Sequence, residues 1–217
     1  MSQAEENYLK AIFALQSEFG KNLSTNLVAK KMATKPSSVT DMLKKLALKN
    51  FVVYKKYQGV HLTKKGSDLA KNVIRKHRLW ETFLVNKLNF NWHEVHDIAE
   101  QLEHVKSAIL IDKLDAFLGH PKSDPHGDPI PDNKGNLPQP EQVFLANMAL
   151  NTSCILRGVK DSSDVFLSYL NQKNIRLGSL IKVEQIEVFD MSMQIKVDEE
   201  LINISQKTAN NLIVSKL

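Results

Sequence analysis

Histidines and carboxylates crowd one stretch of this 217-residue chain, with five of its seven histidines between His77 and His120. Within it, His96, Glu100, Glu103 and His104 follow at intervals of four, three and one residue. On a continuous helix, at about 100° per residue, they share one face within an arc of about 100°. His77 and Glu81 offer a second i, i+4 pair on the preceding segment. Imidazole nitrogens and carboxylate oxygens together suit divalent Mn, Fe, Co, Ni or Zn. The same stripe also fits the wet face of an amphipathic helix, because Ile98, Leu102, Val105 and Ile109 fall on the opposite side. A helical metalloprotein enzyme of the carboxylate di-metal kind wants Glu-x-x-His on two helices. The helical region contains no such tetrad, so the residues point to a binding site and not to an enzyme.

A second constellation is basic. Residues 1–78 carry 16 Lys and Arg against 5 Asp and Glu, a net of +11, while residues 79–217 carry a net of −6. One end of the chain is therefore built to meet a polyanion, with nucleic acid the leading candidate. Lys35, Pro36, Ser37, Ser38, Thr40 and Asp41 open a segment rich in small hydrogen-bonding side chains that fit a DNA groove. Lys44 and Lys45 follow within reach of phosphates, and Lys55, Lys56 and Tyr57 crowd a turn shortly after. Each of these lysines also fits a merely solvated surface.

The elements that must position these residues can be read from periodicity. Residues 4–18 predict an amphipathic helix with Tyr8, Leu9, Ile12, Phe13 and Leu15 inward, ended by Gly20. Ser24 or Thr25 caps a short helix through Lys31. A third runs from Pro36, where a missing N–H costs nothing, to Lys49, burying Val39, Leu43, Leu46 and Ala47. Phe51–Tyr54 and Val60–Thr63, turning at Gly59, read as a hairpin. Long helices are predicted over about 66–87 and 93–117. Residues 120–140 hold six of the seven prolines and read as an ordered loop or linker. Beyond about residue 149, short β-rich runs (SCILRGV, SLIKVEQIEVF, SMQIKV, NLIVSKL) and one helix near 162–172 predict a small β-barrel.

Helix, helix, turn, helix and hairpin in about 60 residues make a winged helix-turn-helix, with the Pro36–Lys49 helix as the one that enters the major groove. The predicted organisation is mainly α with β: a DNA-binding domain over 1–72, a helical metal-binding and dimerisation domain over 73–140, and a β-barrel over 149–217. One cysteine, Cys154, rules out an intrachain disulfide. The polar start MSQAEENYLK lacks the features of a secretory signal, and no apolar run nears the roughly 20 residues of a membrane helix. The expected setting is the cytoplasm, with no membrane and no small organic substrate.

Taken together, ENYLKAIFAL, PSSVTDMLKKL, VVYKKYQGVHLTKKG, RKHRLWETFL, EVHDIAEQLEHV and PHGDPIP resemble the diphtheria-toxin-repressor family of metal-dependent regulators. The C-terminal NIRLGS resembles the SH3-like domain of its longer members. The resemblance implies a homodimer that binds a palindromic duplex operator when Mn2+ (or Fe2+) is bound. It implies one metal site on Asn7, His77, Glu100, Glu103 and His104. It implies a second on His77 or its neighbourhood, Glu81, His96 and an acid of the C-terminal domain, Asp161 or else Asp164. Glu100 stands where iron-type members have cysteine, which favours Mn2+. Asn7 stands where manganese-type members usually have aspartate, and Lys10 replaces a further carboxylate one turn on. That pattern favours two separated sites. A metal-independent winged-helix regulator remains the alternative. Asn7→Asp is expected to tighten Mn2+ binding, and an equal or weaker affinity by calorimetry would show that residue 7 is not a ligand.

Overall fold

A computed structural model describes residues 1–137 and 143–217; the end of the proline-rich stretch, 138–140, lies outside the described residues. The chain divides into two compact units. The first comprises Met1–His77, Gln101–Ala108 and Pro131–Leu137; the second comprises Arg78–Glu100, Ile109–Ile130 and the described residues from 143 onward.

In the first unit, α1 (Gln3–Phe19) starts at a reciprocal cap. The Ser2 hydroxyl accepts from the Glu5 N–H, and the Glu5 carboxylate accepts from the Ser2 N–H. This arrangement satisfies two of the donors that a helix start leaves open. The helix buries Tyr8, Leu9, Ile12 and Leu15, as the spacing predicts. Ser24 caps α2 (Thr25–Lys31), and Pro36 opens α3 (Pro36–Leu48), which buries Val39, Leu43 and Leu46. Strands β1 (Val52–Lys55) and β2 (Gly59–Leu62) form the predicted antiparallel hairpin, extended by a bridge from Leu23 to Val60. These elements enclose one apolar core, in which each buried Leu, Ile or Val contributes about 1.5–3 kcal/mol. Helix α4 (Lys64–Leu88) follows the hairpin.

The single helix expected over 93–117 is instead two, α5 (His96–Leu102) and α6 (Ala108–Phe117). No glycine or proline marks the break between them. Glu103 and His104 stand in the turn after α5, so the four-residue stripe does not form. Only His96 and Glu100 share a helical face. Contacts of the Glu103 carboxylate, described below, override the local helix preference.

In the second unit Leu79, Ile111, Leu114 and Ile130 form one small core. A larger core lines a six-stranded antiparallel sheet of order β3-β8-β4-β5-β6-β7. Its strands are β3 (Val143–Phe144), β4 (Ser153–Val159), β5 (Leu180–Ile186), β6 (Met193–Val197), β7 (Glu200–Ile204) and β8 (Leu212–Lys216). Helices α7 (Asp164–Gln172) and α8 (Gln206–Ala209) accompany it. The four β-rich runs of the sequence appear as β4, β5, β6 and β8. Two further strands, β3 and β7, were not anticipated. β7 begins with an acid and is joined to β6 through Asp198, whose backbone is left-handed at φ 51. Cys154 is buried in β4, and burial pushes its thiol up to about 11.

The loop before the sheet is held against β4. The Val159 N–H donates to the His126 carbonyl at 2.8 Å. Gly127 has φ +88, and a Cβ there would stand 2.2 Å from the Gly158 Cα. Gly127→Ala is expected to cost about 2–4 kcal/mol, combining backbone strain with a forced shift of β4. Urea unfolding checks this, and a loss below 1 kcal/mol would show that the approach relaxes easily.

Candidate metal centres and nucleic-acid interface

The first centre is built around Glu103. Its side chain is fully buried, and Oε2 accepts from His77 Nδ1 at 2.6 Å and from Lys10 Nζ at 2.8 Å. Burial works against the charged carboxyl, but His77 and Lys10 outweigh it and hold its pKa below the usual carboxylate range. His104 Nδ1 donates to Glu6 Oε2 at 2.6 Å, and its Nε2 lies 3.8 Å from Glu103 Oε1. Lys76 is buried nearby; burial lowers its pKa while the charges of Glu6 and Glu103 oppose the shift. Two side-chain oxygens, Asn7 Oδ1 on α1 and Glu103 Oε1, are buried without a hydrogen-bond donor. An unsatisfied buried oxygen costs about 1–3 kcal/mol. Oxygen and imidazole donors of this kind have the chemistry to fit a hard or borderline divalent metal.

A second cluster lies in the other unit. The ligand atoms of Glu81, Asp124 and His126 lie within 4.8 Å of one another, and all three residues are buried. His126 Nε2 donates to the Trp92 carbonyl at 2.8 Å, and the imidazole stacks on the Trp92 ring. Its Nδ1 is thereby turned toward Glu81 Oε2 at 3.7 Å and Asp124 Oδ1 at 4.0 Å. Glu81 Oε1 also meets His96 Nδ1 at 3.5 Å, and His96 Nε2 lies 3.8 Å from Glu100 Oε1. Arg78 meets Asp124 at 3.5 Å and Asp128 at 3.2 Å, and also donates to the Pro129 carbonyl. Burial, then the charges of Asp128 and Glu81, push Asp124 up to about 7. Burial works against the charged ring of His126, but Glu81 and Asp124 outweigh it and raise its pKa to about 9. The excess negative charge is thus balanced by protons, a position that a metal cation can take over.

Asp124 and His126 were not among the expected ligands. The only signal was an acid and an imidazole two residues apart within Ser-Asp-Pro-His-Gly-Asp, in a stretch read as connecting loop. Glu6 was missed as well, because the helical pattern marks it as one polar residue among several. Asp161, expected at the second site, uses Oδ1 to accept from the Ser163 N–H before α7, and Asp164 lies in the first turn of that helix.

The residues expected to meet DNA lie on α3 and at the tip of the hairpin. Lys35, Pro36, Ser37, Ser38 and Asp41 are exposed at the start of α3, and the Thr40 hydroxyl donates back to the Pro36 carbonyl. Lys44 stands 3.7 Å from Asp41. Lys45 and Lys49 reach the buried Glu5 carboxylate at 3.2 and 2.6 Å. Lys49, more than any other neighbour, holds Glu5 down to about 2. Lys55, Lys56 and Tyr57 form an exposed wing tip, with Lys56 Nζ 5.0 Å from the Tyr57 ring centre. Tyr57 has φ +67, a strained backbone for a bulky residue. An open groove of about 580 Å³ separates Pro36, Ser37 and Thr40 from Tyr54, Lys56 and Tyr57.

These features define a winged-helix, metal-responsive DNA-binding regulator. Residues 1–60 match the N-terminal DNA binding domain of the iron dependent repressors, and residues 63–132 match their metal binding and dimerisation domain. Residues 143–216 match the FeoA domain. A manganese-dependent transcriptional repressor solved in complex with manganese is similar at a TM-score of 0.81 and 32% identity, over 98% of this chain and 100% of that one. An uncharacterised HTH-type transcriptional regulator of Methanocaldococcus jannaschii is 36% identical over 54% of this chain and 94% of its own length. The HTH-type transcriptional regulator MntR of Bacillus pumilus is 34% identical over 50% of this chain and 74% of its own length. The chain belongs to the iron dependent repressor family, the diphtheria-toxin-repressor family of the sequence resemblance. It is a metal-dependent transcriptional repressor and not an enzyme. Among the described residues no helix is long and apolar enough to cross a membrane.

The raised pKa of His126 has a stability consequence in metal-free protein. Its contribution is complete below the unfolded value of 6.5 and is lost as pH rises through about 9. Asp124, also raised, acts in the same direction at lower pH, its contribution being lost between 3.8 and about 7. Urea unfolding in chelator is expected to show stability falling from about pH 6.5 to 9, with a flatter profile in His126→Asn. A flat wild-type profile would mean that the buried cluster carries no extra proton.

Proposed function

We propose that this protein represses metal-uptake genes in the cytoplasm, binding a palindromic operator as a homodimer when Mn2+ (or Fe2+) is bound. The observation that carries the reading is the pair of buried, unsatisfied oxygens on Asn7 and Glu103. One belongs to α1 and the other to the turn after α5. A bound cation would take both oxygens as ligands in place of the donors they lack.

Each residue has a distinct task. Asn7 Oδ1, Glu103 Oε1 and His104 Nε2 would be the ligand atoms. Glu6 accepts from His104 Nδ1, fixing the ring so that Nε2 stays available. His77 and Lys10 hold the other Glu103 oxygen. Glu81, Asp124 and His126 would hold a second ion. Oxygen and imidazole donors without a thiolate favour Mn2+ or Fe2+ over thiophilic ions. Filling sites whose ligands converge only in the ordered state shifts the population toward that state. Saturation at about 100 times the dissociation constant contributes roughly 2.7 kcal/mol per site. Ile109 and Phe117, both exposed on α6, provide apolar surface for a second copy.

One observation favours a metal-independent regulator: the Lys10 ammonium already neutralises Glu103. The two readings separate in one experiment. Duplexes selected from a random library in Mn2+ are tested by gel shift with Mn2+ and with chelator. Mn2+ is expected to tighten binding about 100-fold, following from the saturation energy above. Glu103→Gln, which keeps the side chain's shape and an acceptor for Lys10 and His77, is expected to erase most of that gain while circular dichroism shows an intact fold. Operator binding that ignores chelator would leave only the metal-independent reading.

A further inference from the structure

The first turn of α1 has two working sides. Residues 5, 6 and 7 point about 100° apart around the helix. Glu6 holds His104, and Asn7 turns an unsatisfied buried oxygen inward. Glu5, on the other side, is 1% exposed and takes Lys49 at 2.6 Å and Lys45 at 3.2 Å, both from the C-terminal end of α3. The same carboxylate closes the cap with Ser2. A helix start is where a helix frays, because its first N–H groups lack partners. Three anchors hold this one: the cap, the Glu6–His104 contact and the Glu5–lysine pairs.

We propose that Glu5 is a positioning residue that couples the Asn7–Glu103–His104 centre to the orientation of α3, the helix that reads DNA. Fixing Asn7 and Glu6 fixes Glu5, since one helical turn moves as a body. Glu5 then fixes the end of α3 through two ammonium groups. A lone exposed ion pair would carry little of this, but here the carboxylate is buried and doubly paired. The position contributes nothing to metal ligation and nothing to base contact. Its effect lies in the coupling between the two, which is reciprocal.

The inference rests on the metal-dependent reading above, and the experiment separates the two failures. Full-length wild type, Glu5→Gln, Lys49→Met and the double variant are compared. Glu5→Gln keeps an oxygen for the Ser2 N–H while removing the charge that holds the lysines. Two quantities are read: the Mn2+ dissociation constant without DNA, and the ratio of operator dissociation constants in chelator and in Mn2+. In both single variants the Mn2+ constant is expected to stay within about twofold. The ratio is expected to fall about tenfold, with no further fall in the double variant, as for two residues acting through one contact. A ratio equal to wild type in Glu5→Gln would overturn the proposal. So would loss of Mn2+ binding in Glu5→Gln, which would place Glu5 in the site itself. If wild type shows no Mn2+-dependent ratio, the metal-dependent function fails first and the coupling with it. Should Glu5→Gln not fold, Lys49→Met alone decides: an unchanged ratio there rejects the relay.

Discussion

The structure of the first unit turns on one buried carboxylate. Taking a charged carboxyl out of water is costly unless it is paired and fully hydrogen-bonded. Glu103 meets that demand by drawing an ammonium from α1 and an imidazole from α4 onto a single oxygen. To present the carboxylate there, the chain leaves helical geometry after Leu102 and resumes it at Ala108. The break between α5 and α6, the placement of His104 and the seating of α1 therefore follow from one electrostatic requirement. That requirement is only half met by the protein's own groups, because the second oxygen is left without a donor.

Charge is used differently on the two sides of α1. Toward Glu103, carboxylates and ammoniums nearly balance: Glu6 and Glu103 face Lys10 and Lys76. Toward α3, a buried carboxylate is outnumbered by lysines. The lysines so engaged sit at the end of α3, while the small polar residues at its start are left open to the groove beside the wing. Anchoring one end and exposing the other would let the start of α3 be aimed without spending its own side chains. The strained Tyr57 at the wing tip belongs to the same exposed face.

Much of this was legible in the sequence because it is written in local rules. Periodicity placed α1, and the proline of α3 marked its first residue. Alternation and Gly59 placed the hairpin. Residue chemistry and spacing singled out His77, Glu81, His96, Glu100, Glu103 and His104 as candidates. What escaped was set by contacts distant in sequence. No glycine or proline announces the turn at Glu103, since the cause is a contact 93 residues away. Asp124 and His126 sit among prolines, where a composition rule says loop and says nothing about burial. β7 carries only two inward apolar residues, Ile202 and Ile204, too short a signal to stand out.

The lone cysteine of the chain has a consequence for its chemistry. Cys154 sits inside the β-sheet core, and its thiol is held in the protonated, unreactive form. A regulator of transition-metal supply works beside ions that generate peroxide. With no accessible thiolate, oxidants find no cysteine to convert to sulfenic acid. Thiol oxidation is thereby kept out of the response of this molecule.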